Sequence, residues 1–358
     1  LDEACHCAYD HYMAALVQTF DRAAYRAHHL VWFLPSLAGH RALRAVARVP
    51  EPETPPALVR AMRRRYERLL RVDLDNAHAG LYPRALLYQR PSARYVRALP
   101  HLLADMPRSI RRKARGNWRD LPENVDRERF PAYFRRTFHW QTDGYFSQRS
   151  ARLYDLGVEF LFLGTADVMR RQVIPPITRF LRERGRYDAR VLDVACGTGR
   201  TLLQLHRAHP RLRLHGVDLS PAYVQAARML LADAPEVTLV AENAETLPYR
   251  DGHFDVVTST FLFHELPRPT RRRVLAEMLR VVAPGGLAVV EDSAQAVESA
   301  DVLPVLERFP VEFHEPFYAE YLQDDLAEAM REVGFEVQCV ATAFLAKVVV
   351  ARRPPTAS

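Results

Sequence analysis

The sequence predicts an α/β protein in which a mostly parallel sheet, closed by an antiparallel last strand, follows an all-helical N-terminal region. Three observations carry this. Between about 190 and 291, short β-rich runs (190–194, 212–217, 237–240, 254–259, 286–291) alternate with helical patterns near 199–208, 221–232 and 269–281. Such alternation belongs to a parallel sheet covered on both faces. Two further β-rich runs, 335–341 and 344–351, have almost nothing between them, a spacing that permits only an antiparallel hairpin. The first 149 residues carry helical periodicity instead. The division expected is 1–149 helical, 150–358 α/β.

The N-terminal part is read element by element. Tyr12, Leu16, Phe20, Ala23 and Ala27 recur at helical spacing towards Trp32 and Phe33, with Pro35 and Gly39 as punctuation. After Pro55-Pro56 comes a second stripe of Leu58, Met62, Tyr66, Leu69 and Leu70, with Arg63, Arg64, Arg65 and Arg68 on the outer face. Pro83, Pro91, Pro100, Pro107 and Pro122 then predict short helices. Residues 153–162 read as an apolar helix. Gly164-Thr165 breaks and caps a further helix over 166–184, bent at Pro175-Pro176.

Charge is uneven. The chain of 358 residues has 50 Lys+Arg against 43 Asp+Glu, a net of +7, and only Lys113 and Lys347 of the basic residues are lysine. Residues 1–150 carry a balance of +11 and the remainder −4, with the densest basic run at Arg111–Arg115. Such asymmetry marks either a surface for nucleic acid, anionic lipid or acidic substrate, or an Arg-rich solvated face. No run of 18 apolar residues predicts a transmembrane helix, and the start lacks both Met and a secretion-signal pattern, which suggests a trimmed chain. Four cysteines form no disulfide framework, so a reducing cytoplasm is expected. Cys5-His6-Cys7 is a metal-like cluster without a second pair at zinc-site spacing, so no metal is expected.

The chemistry concentrates after the first β-run. In Val191–Arg200 an acid, Asp193, ends a buried strand, and Cys196-Gly197-Thr198-Gly199 forms a glycine-containing turn into a helix near Thr198. The glycines let backbone approach a ligand, and ligands of open α/β sheets sit at this edge. Leu202 stands where a dinucleotide fingerprint needs its third Gly, and no phosphate P-loop is present. Asp193 suits a cationic ligand. Asp218 closes the next strand, 19 residues beyond Gly199, where a carboxylate accepts from both ribose hydroxyls. Glu242–Pro248, Phe254–Val257 leading into Thr258–Pro267, and Leu279–Leu287 complete the set.

The ordered motifs D-V-A-C-G-T-G, G-V-D-L-S, N-A-E-x-L-P, F-D-V-V and L-x-x-G-G resemble class I S-adenosylmethionine-dependent methyltransferases. The likeness covers about 150–352 and is nearest the branch of quinone-ring and small-molecule methyltransferases. It implies a seven-stranded Rossmann-like sheet with an antiparallel last strand and S-adenosylmethionine as cofactor, leaving S-adenosylhomocysteine. It implies that Asp193 and Gly197 hold the methionine part and Asp218 the ribose, with Ala195, Cys196 (as small filler), Thr198, Gly199 and Leu219 also at the cofactor. Asn243, Ala244 and Glu245 would meet the adenine, with Thr260 and Phe261 after the fourth strand. The family usually has Asp at the Asn243 position, but an Asn oxygen still accepts. Upstream, Tyr145, Tyr154-Asp155 and Gly164-Thr165 resemble a segment that closes over the cofactor, and Arg170 or Arg171 would then pair with its carboxylate.

Methyl transfer to a phenol, enol or amine is helped by a base. His264 is the first candidate, followed by His314 and Glu315 in an insertion over 293–318, a common lid position. Trp140, Tyr145, Phe146, Asp292 and Tyr318 are candidates to face a substrate. The expectation is methyl transfer to a small, aromatic or apolar molecule between the sheet domain and the helical cap. The alternatives are a methyltransferase for nucleic acid or anionic lipid, including peripheral membrane contact, and a non-catalytic cofactor-binding scaffold. The absence of an N/D-P-P-Y/F-type motif at Ser259–Leu262 argues against nucleic-acid amino methylation. The acceptor, the methylated atom and the oligomeric state stay open.

Overall fold

A computed structural model describes residues 19–39, 41, 54–89, 93–123, 125–234 and 236–355. The Cys5-His6-Cys7 cluster, Tyr12 and Leu16 lie outside these residues. Seven strands form one sheet: β1 Arg190–Val194, β2 Arg213–Asp218, β3 Thr238–Ala241, β4 Phe254–Thr260, β5 Val282–Ser293, β6 Glu336–Ala343 and β7 Ala346–Arg352. Their order is β3-β2-β1-β4-β5-β7-β6, and β7 runs antiparallel to both neighbours. The fold class read from the sequence is therefore observed. Phe344, expected in the last strand, instead turns the hairpin with φ 59°.

The period of two along the strands separates two cores. Val191, Val256 and Val289 face one way, against Ile174, Ile177 and Leu205. Leu192, Val194, Val257 and Val290 face the other, against Val274, Leu275 and Met278. The covering helices are α6 Ile174–Arg184 and α7 Arg200–Ala208 on the first face and α9 Arg268–Val281 on the second, while α8 Pro221–Leu230 follows β2.

The N-terminal helices are α1 over 19–39, α2 Pro56–His78 and α3 Ala93–Ala114, followed by α4 Gln148–Leu161. Helix α3 spans 22 residues with Pro100 and Pro107 inside, so the expectation of short helices fails. Both prolines are exposed and sit two turns apart, where water can satisfy the freed carbonyls. The Phe20–Ala23–Ala27 stripe also faces outward; α1 instead buries Tyr25 and His29.

Leu69, Leu70 and Leu74 of α2 belong to the same core as Ile174 and Ile177. A buried ion pair reinforces this junction. Arg171 Nη2 lies 2.6 Å from Asp73 Oδ2, and Asp73 also accepts from the hydroxyls of Tyr25 and Tyr82 and from Gln172. Burial alone would raise the Asp73 carboxyl, but Arg171 and the hydroxyls hold it below the ordinary range.

Around 166–184 the break falls elsewhere than expected. Helix α5 (Ala166–Arg170) passes through a 3₁₀ turn at Arg171–Val173 into α6, whose first turn holds Pro175-Pro176. Proline is tolerated there because first-turn N–H groups have no helical partner. Thr165 does not cap α5, because its hydroxyl donates to Phe162 O (2.6 Å); the Glu159 carboxylate caps instead, accepting from Asp167 N (3.0 Å).

The insertion after β5 folds as α10 Leu303–Leu306, α11 Phe309–Phe313 and α12 Tyr318–Gln323, with α13 Leu326–Glu332 leading to β6. Two arginines of the basic stretches, Arg65 of the expected outer face and Arg112 of the run at 111–115, are structural. Arg65 pairs with Asp301 (2.6 Å), and Arg112 is buried against Asp120 (2.9 Å) and Trp140 O (2.8 Å). Arg64, Arg68 and Arg71 line an open groove with Arg22 and Arg26 of α1. Among the described residues, no helix is long and apolar enough to cross a membrane.

Candidate active site

Strand order reverses between β1 and β4, so their carboxyl ends diverge and leave a crevice. An open cavity occupies it. One wall is the turn joining β1 to α7, where Ala195 (φ 58°), Gly197 (φ 54°) and Gly199 (φ 83°) are all left-handed. Gly199 is its helix N-cap, so α7 starts at Arg200 rather than near Thr198. A Cβ on Gly197 would meet nothing within 4 Å, whereas one on Gly199 would press on Ala227 and Leu231 at 3.1 Å. Gly197 thus presents bare backbone to the cavity, and Gly199 lets the turn pack on α8.

Asp218 lines the cavity beside this turn. Its Oδ2 accepts from Gly197 N (2.9 Å) and its Oδ1 from Ser220 N (2.8 Å). Burial raises the carboxyl to about 6 against the pull of these two bonds. Cys196 packs within the turn; burial raises its thiol well above the ordinary value, which makes it filler and a poor nucleophile. Asn243 lines the next stretch, with its Oδ1 already accepting from Glu245 N (2.9 Å).

The opposite wall comes from upstream of the sheet. Tyr133, Phe134, Phe138, Tyr145 and Tyr154 line the cavity, and Tyr223 of α8 packs edge-on against Tyr145 and Tyr154. Asp155 of α4 accepts from Thr198 Oγ1 (2.6 Å), so α4 clamps the turn. Arg170 reaches the cavity from α5 while held by Asp167 (3.0 Å); Arg171 points away to Asp73.

Of the residues expected to hold a cofactor, Tyr154, Arg170, Ala195, Cys196, Gly197, Thr198, Asp218, Leu219, Asn243, Ala244, Thr260 and Phe261 line this one cavity. Thr165, Asp193, Gly199 and Glu245 do not. Thr165 is fully buried, and Glu245 pairs with Arg273 (2.6 Å) and Tyr133 (2.8 Å). Asp193 lies just beneath, 1% exposed, with Oδ1 unpartnered; burial and the neighbouring Asp218 push it well up. Both carboxylate oxygens of Glu291 and the hydroxyl of Thr258 are likewise buried without partners. Register pairs Asp193 with Thr258 and Thr260 with Glu291, so all four project from the same face.

Among the residues expected to face a substrate, only Tyr145 lines the cavity. Phe146 packs on Phe130 and Phe134, and Trp140 donates to Glu312 O (3.2 Å). Tyr318 bonds Ser293 (2.5 Å). Asp292 accepts from the backbone of Leu262 and Phe263 and contacts His264 Nδ1 at 2.6 Å. None of the three expected bases touches the cavity. Burial would lower His264, but Asp292 and Glu315 more than offset this and push it up to about 10. A ring held protonated by carboxylates is a poor base at neutral pH. His314 stacks on Trp118, and burial lowers it to about 4. Glu315 is buried between His139 (3.3 Å) and His264 (3.8 Å). The aromatic stretch 138–146, which the sequence suggests either walls the pocket or joins the two domains, supplies Phe138 and Tyr145 to the wall; sequence reasoning overlooked Glu265, Glu242, Tyr133 and Phe134, which also line the cavity. Glu242 had a signal, standing beside Asn243 at a strand end. Glu265 had only its place after His264.

Comparison with known proteins agrees with this architecture. Residues 191–286 match a family model described as a methyltransferase domain. The chain is 32% identical over 170 residues to the malonyl-[acyl-carrier protein] O-methyltransferase of Geobacter sulfurreducens, covering 47% of this chain and 63% of that protein. It is 35% identical over 141 residues to the ubiquinone/menaquinone biosynthesis C-methyltransferase of the same organism, covering 38% and 52%. A solved methyltransferase from Methanosarcina mazei is 21% identical, covering 51% of this chain and 98% of that one, with a TM-score of 0.41. The match spans less than two thirds of either curated relative. The motifs, the sheet order and the family match together identify the chain as carrying a class I S-adenosylmethionine-dependent methyltransferase domain.

Proposed function

We propose that this protein transfers a methyl group from S-adenosylmethionine to a small aromatic or apolar acceptor held between the sheet edge and the N-terminal cap. One observation carries the reading: a single cavity has polar turns of the sheet edge on one wall and five aromatic side chains of the cap region on the other. The residues present fit the cofactor. Bare backbone at Gly197 leaves room beside the turn, and the Asp218 carboxylate stands where two ribose hydroxyls would donate to it. Glu242, Asn243 and Ala244 line the next stretch, suited to an adenine edge. Arg170 would pair with the methionine carboxylate. The unpartnered oxygens of Asp193 and Glu291 just beneath suit its amino group and positive sulfur.

When bound, the sulfonium supplies an activated methyl group, leaving alignment and exclusion of water as the protein's work. Tyr154 and Tyr145 close the cavity from the cap side, and the Asp155–Thr198 bond fixes that closure to the turn. The aromatic wall favours a flat apolar acceptor, which suits a relative named for quinone methylation. The basic groove between α1 and α2 shares no lining residue with the cavity, which weighs against a polyanionic acceptor presented from there.

Calorimetry with S-adenosylmethionine and S-adenosylhomocysteine tests the reading, followed by tritium transfer from labelled cofactor to a panel of phenols and quinols. Binding of both cofactor forms and label in an aromatic product are expected. Absence of binding overturns it.

A further inference from the structure

Glu265 is one of three carboxylates that line the cavity, with Asp218 and Glu242. It lines the cavity, and its Oε1 accepts from both Tyr145 OH (2.5 Å) and His139 Nε2 (3.2 Å). The second oxygen is left for whatever occupies the cavity. Asp218 is committed through both oxygens to backbone N–H groups. Behind Glu265, His139 Nδ1 lies 3.3 Å from Glu315 Oε1. His139 does not line the main cavity. It lines a second, open chamber, whose wall includes Asp105, Ser109 and Gln141 among apolar side chains of α3 and α4. The ring is held there by backbone at φ 54°, a left-handed conformation uncommon for a histidine.

Resting on the methyl-transfer reading, we propose that Glu265 is the catalytic base for an acceptor bearing a phenolic or enolic hydroxyl, and that His139 is a positioning residue that holds its Oε1 from behind. The acceptor oxygen forms its bond to the methyl carbon as the carbon–sulfur bond breaks and its electron pair returns to sulfur. The hydroxyl proton goes to Glu265. It leaves Glu265 for water when the product departs. Acceptor hydroxyl and sulfonium thus become methyl ether, thioether and one released proton. Tyr145 is a positioning residue, since its hydroxyl fixes Oε1. His264 stands apart, with Asp292 on one ring nitrogen and Glu315 facing the other.

Three measurements test this. Calorimetry with S-adenosylhomocysteine on wild type and Glu265→Gln should give affinities within about threefold; failure of the wild type to bind would sink the methyl-transfer reading itself. Tritium transfer to 1-naphthol should lose about 100-fold or more in kcat in Glu265→Gln, with cofactor KM nearly unchanged. His139→Gly, which suits the left-handed backbone, should slow similarly and recover with millimolar imidazole, because the chamber is open. A Glu265→Gln variant that turns over like wild type overturns the assignment.

Independently of any acceptor, ¹⁵N-imidazole spectra of the S-adenosylhomocysteine complex follow the His139 titration. The charged or titratable groups facing the Glu265–His139 pair are Tyr145, Tyr154, Asp218, His264 and Glu315. Glu265→Gln should move the His139 midpoint to lower pH by more than that of His264. Equal displacement of both, or none, contradicts the pairing of His139 with Glu265.

Discussion

The two walls of the cavity are built on different principles. The sheet-edge wall is mostly backbone and short polar side chains, held by local bonds such as Gly197 N and Ser220 N to Asp218. The cap wall is aromatic surface from an irregular segment, 130–146, and from α4, held by long-range packing. The first wall is fixed by conformation and the second by company. A local change should damage the first, and a distant change the second.

The largest expected effect lies farthest from the cavity. Asp73→Ala leaves Arg171 buried and unpaired where α2 meets the sheet helices, at a cost of roughly 3–5 kcal/mol. Urea unfolding should show this as a lower midpoint. A loss below about 1 kcal/mol would mean that the cap is held by apolar packing alone. Next comes the local wall: Asp218→Ala removes a carboxylate acceptor, worth about 1.5–3 kcal/mol, or roughly 10- to 100-fold in cofactor Kd by calorimetry. The fold, checked by circular dichroism, should persist.

Ser220 is where the walls touch. It caps α8 by accepting from Tyr223 N (3.2 Å) and donates to Tyr145 O (2.5 Å). Ser220→Ala should cost about 1 kcal/mol in thermal or urea unfolding, with KM rising more for the acceptor than for the cofactor. The smallest effect is with pH. The folded-state value of Asp218 near 6 lies above the ordinary aspartate value, so the folded protein takes up its proton first as pH falls. Its contribution to stability is therefore fully present below about 4 and lost as pH rises through 6. Cofactor binding runs the opposite way, since only the carboxylate accepts from two hydroxyls; affinity should weaken below about pH 6. Asp218→Asn should flatten that slope, and a slope that survives the change places the titration elsewhere.

This contrast also explains what could be read from the sequence. The sheet-edge wall is legible because each of its parts is a local pattern. An acid at a strand end, glycines in a turn and a second acid one strand later mark Asp193, Gly197 and Asp218 without tertiary information. Even there, burial depth was hidden, and Asp193 lies under the cavity rather than on it. The cap wall is not legible in this way. Phe134, Phe138 and Tyr145 recur at helical spacing, yet no helix carries them, and their convergence depends on left-handed backbone at His139, Trp140 and Asp143. His264 was conspicuous by its place after β4, whereas Glu265 gains its place only when His139 and Tyr145 close on it from more than a hundred residues away.

The core shared by α2, α5 and α6 has a consequence for cooperativity. Length and charge suggested two modules, and α4 runs straight across the boundary expected at 149/150. Because Leu69, Leu70 and Leu74 complete the apolar layer that covers one face of the sheet, removing the cap strips that layer and leaves Arg171 without its counter-ion. Cap and sheet should therefore melt in one transition, with calorimetric and van't Hoff enthalpies in agreement. A catalytic half made alone would be an incomplete folding unit, and the cap is as much a part of its solubility as of its pocket.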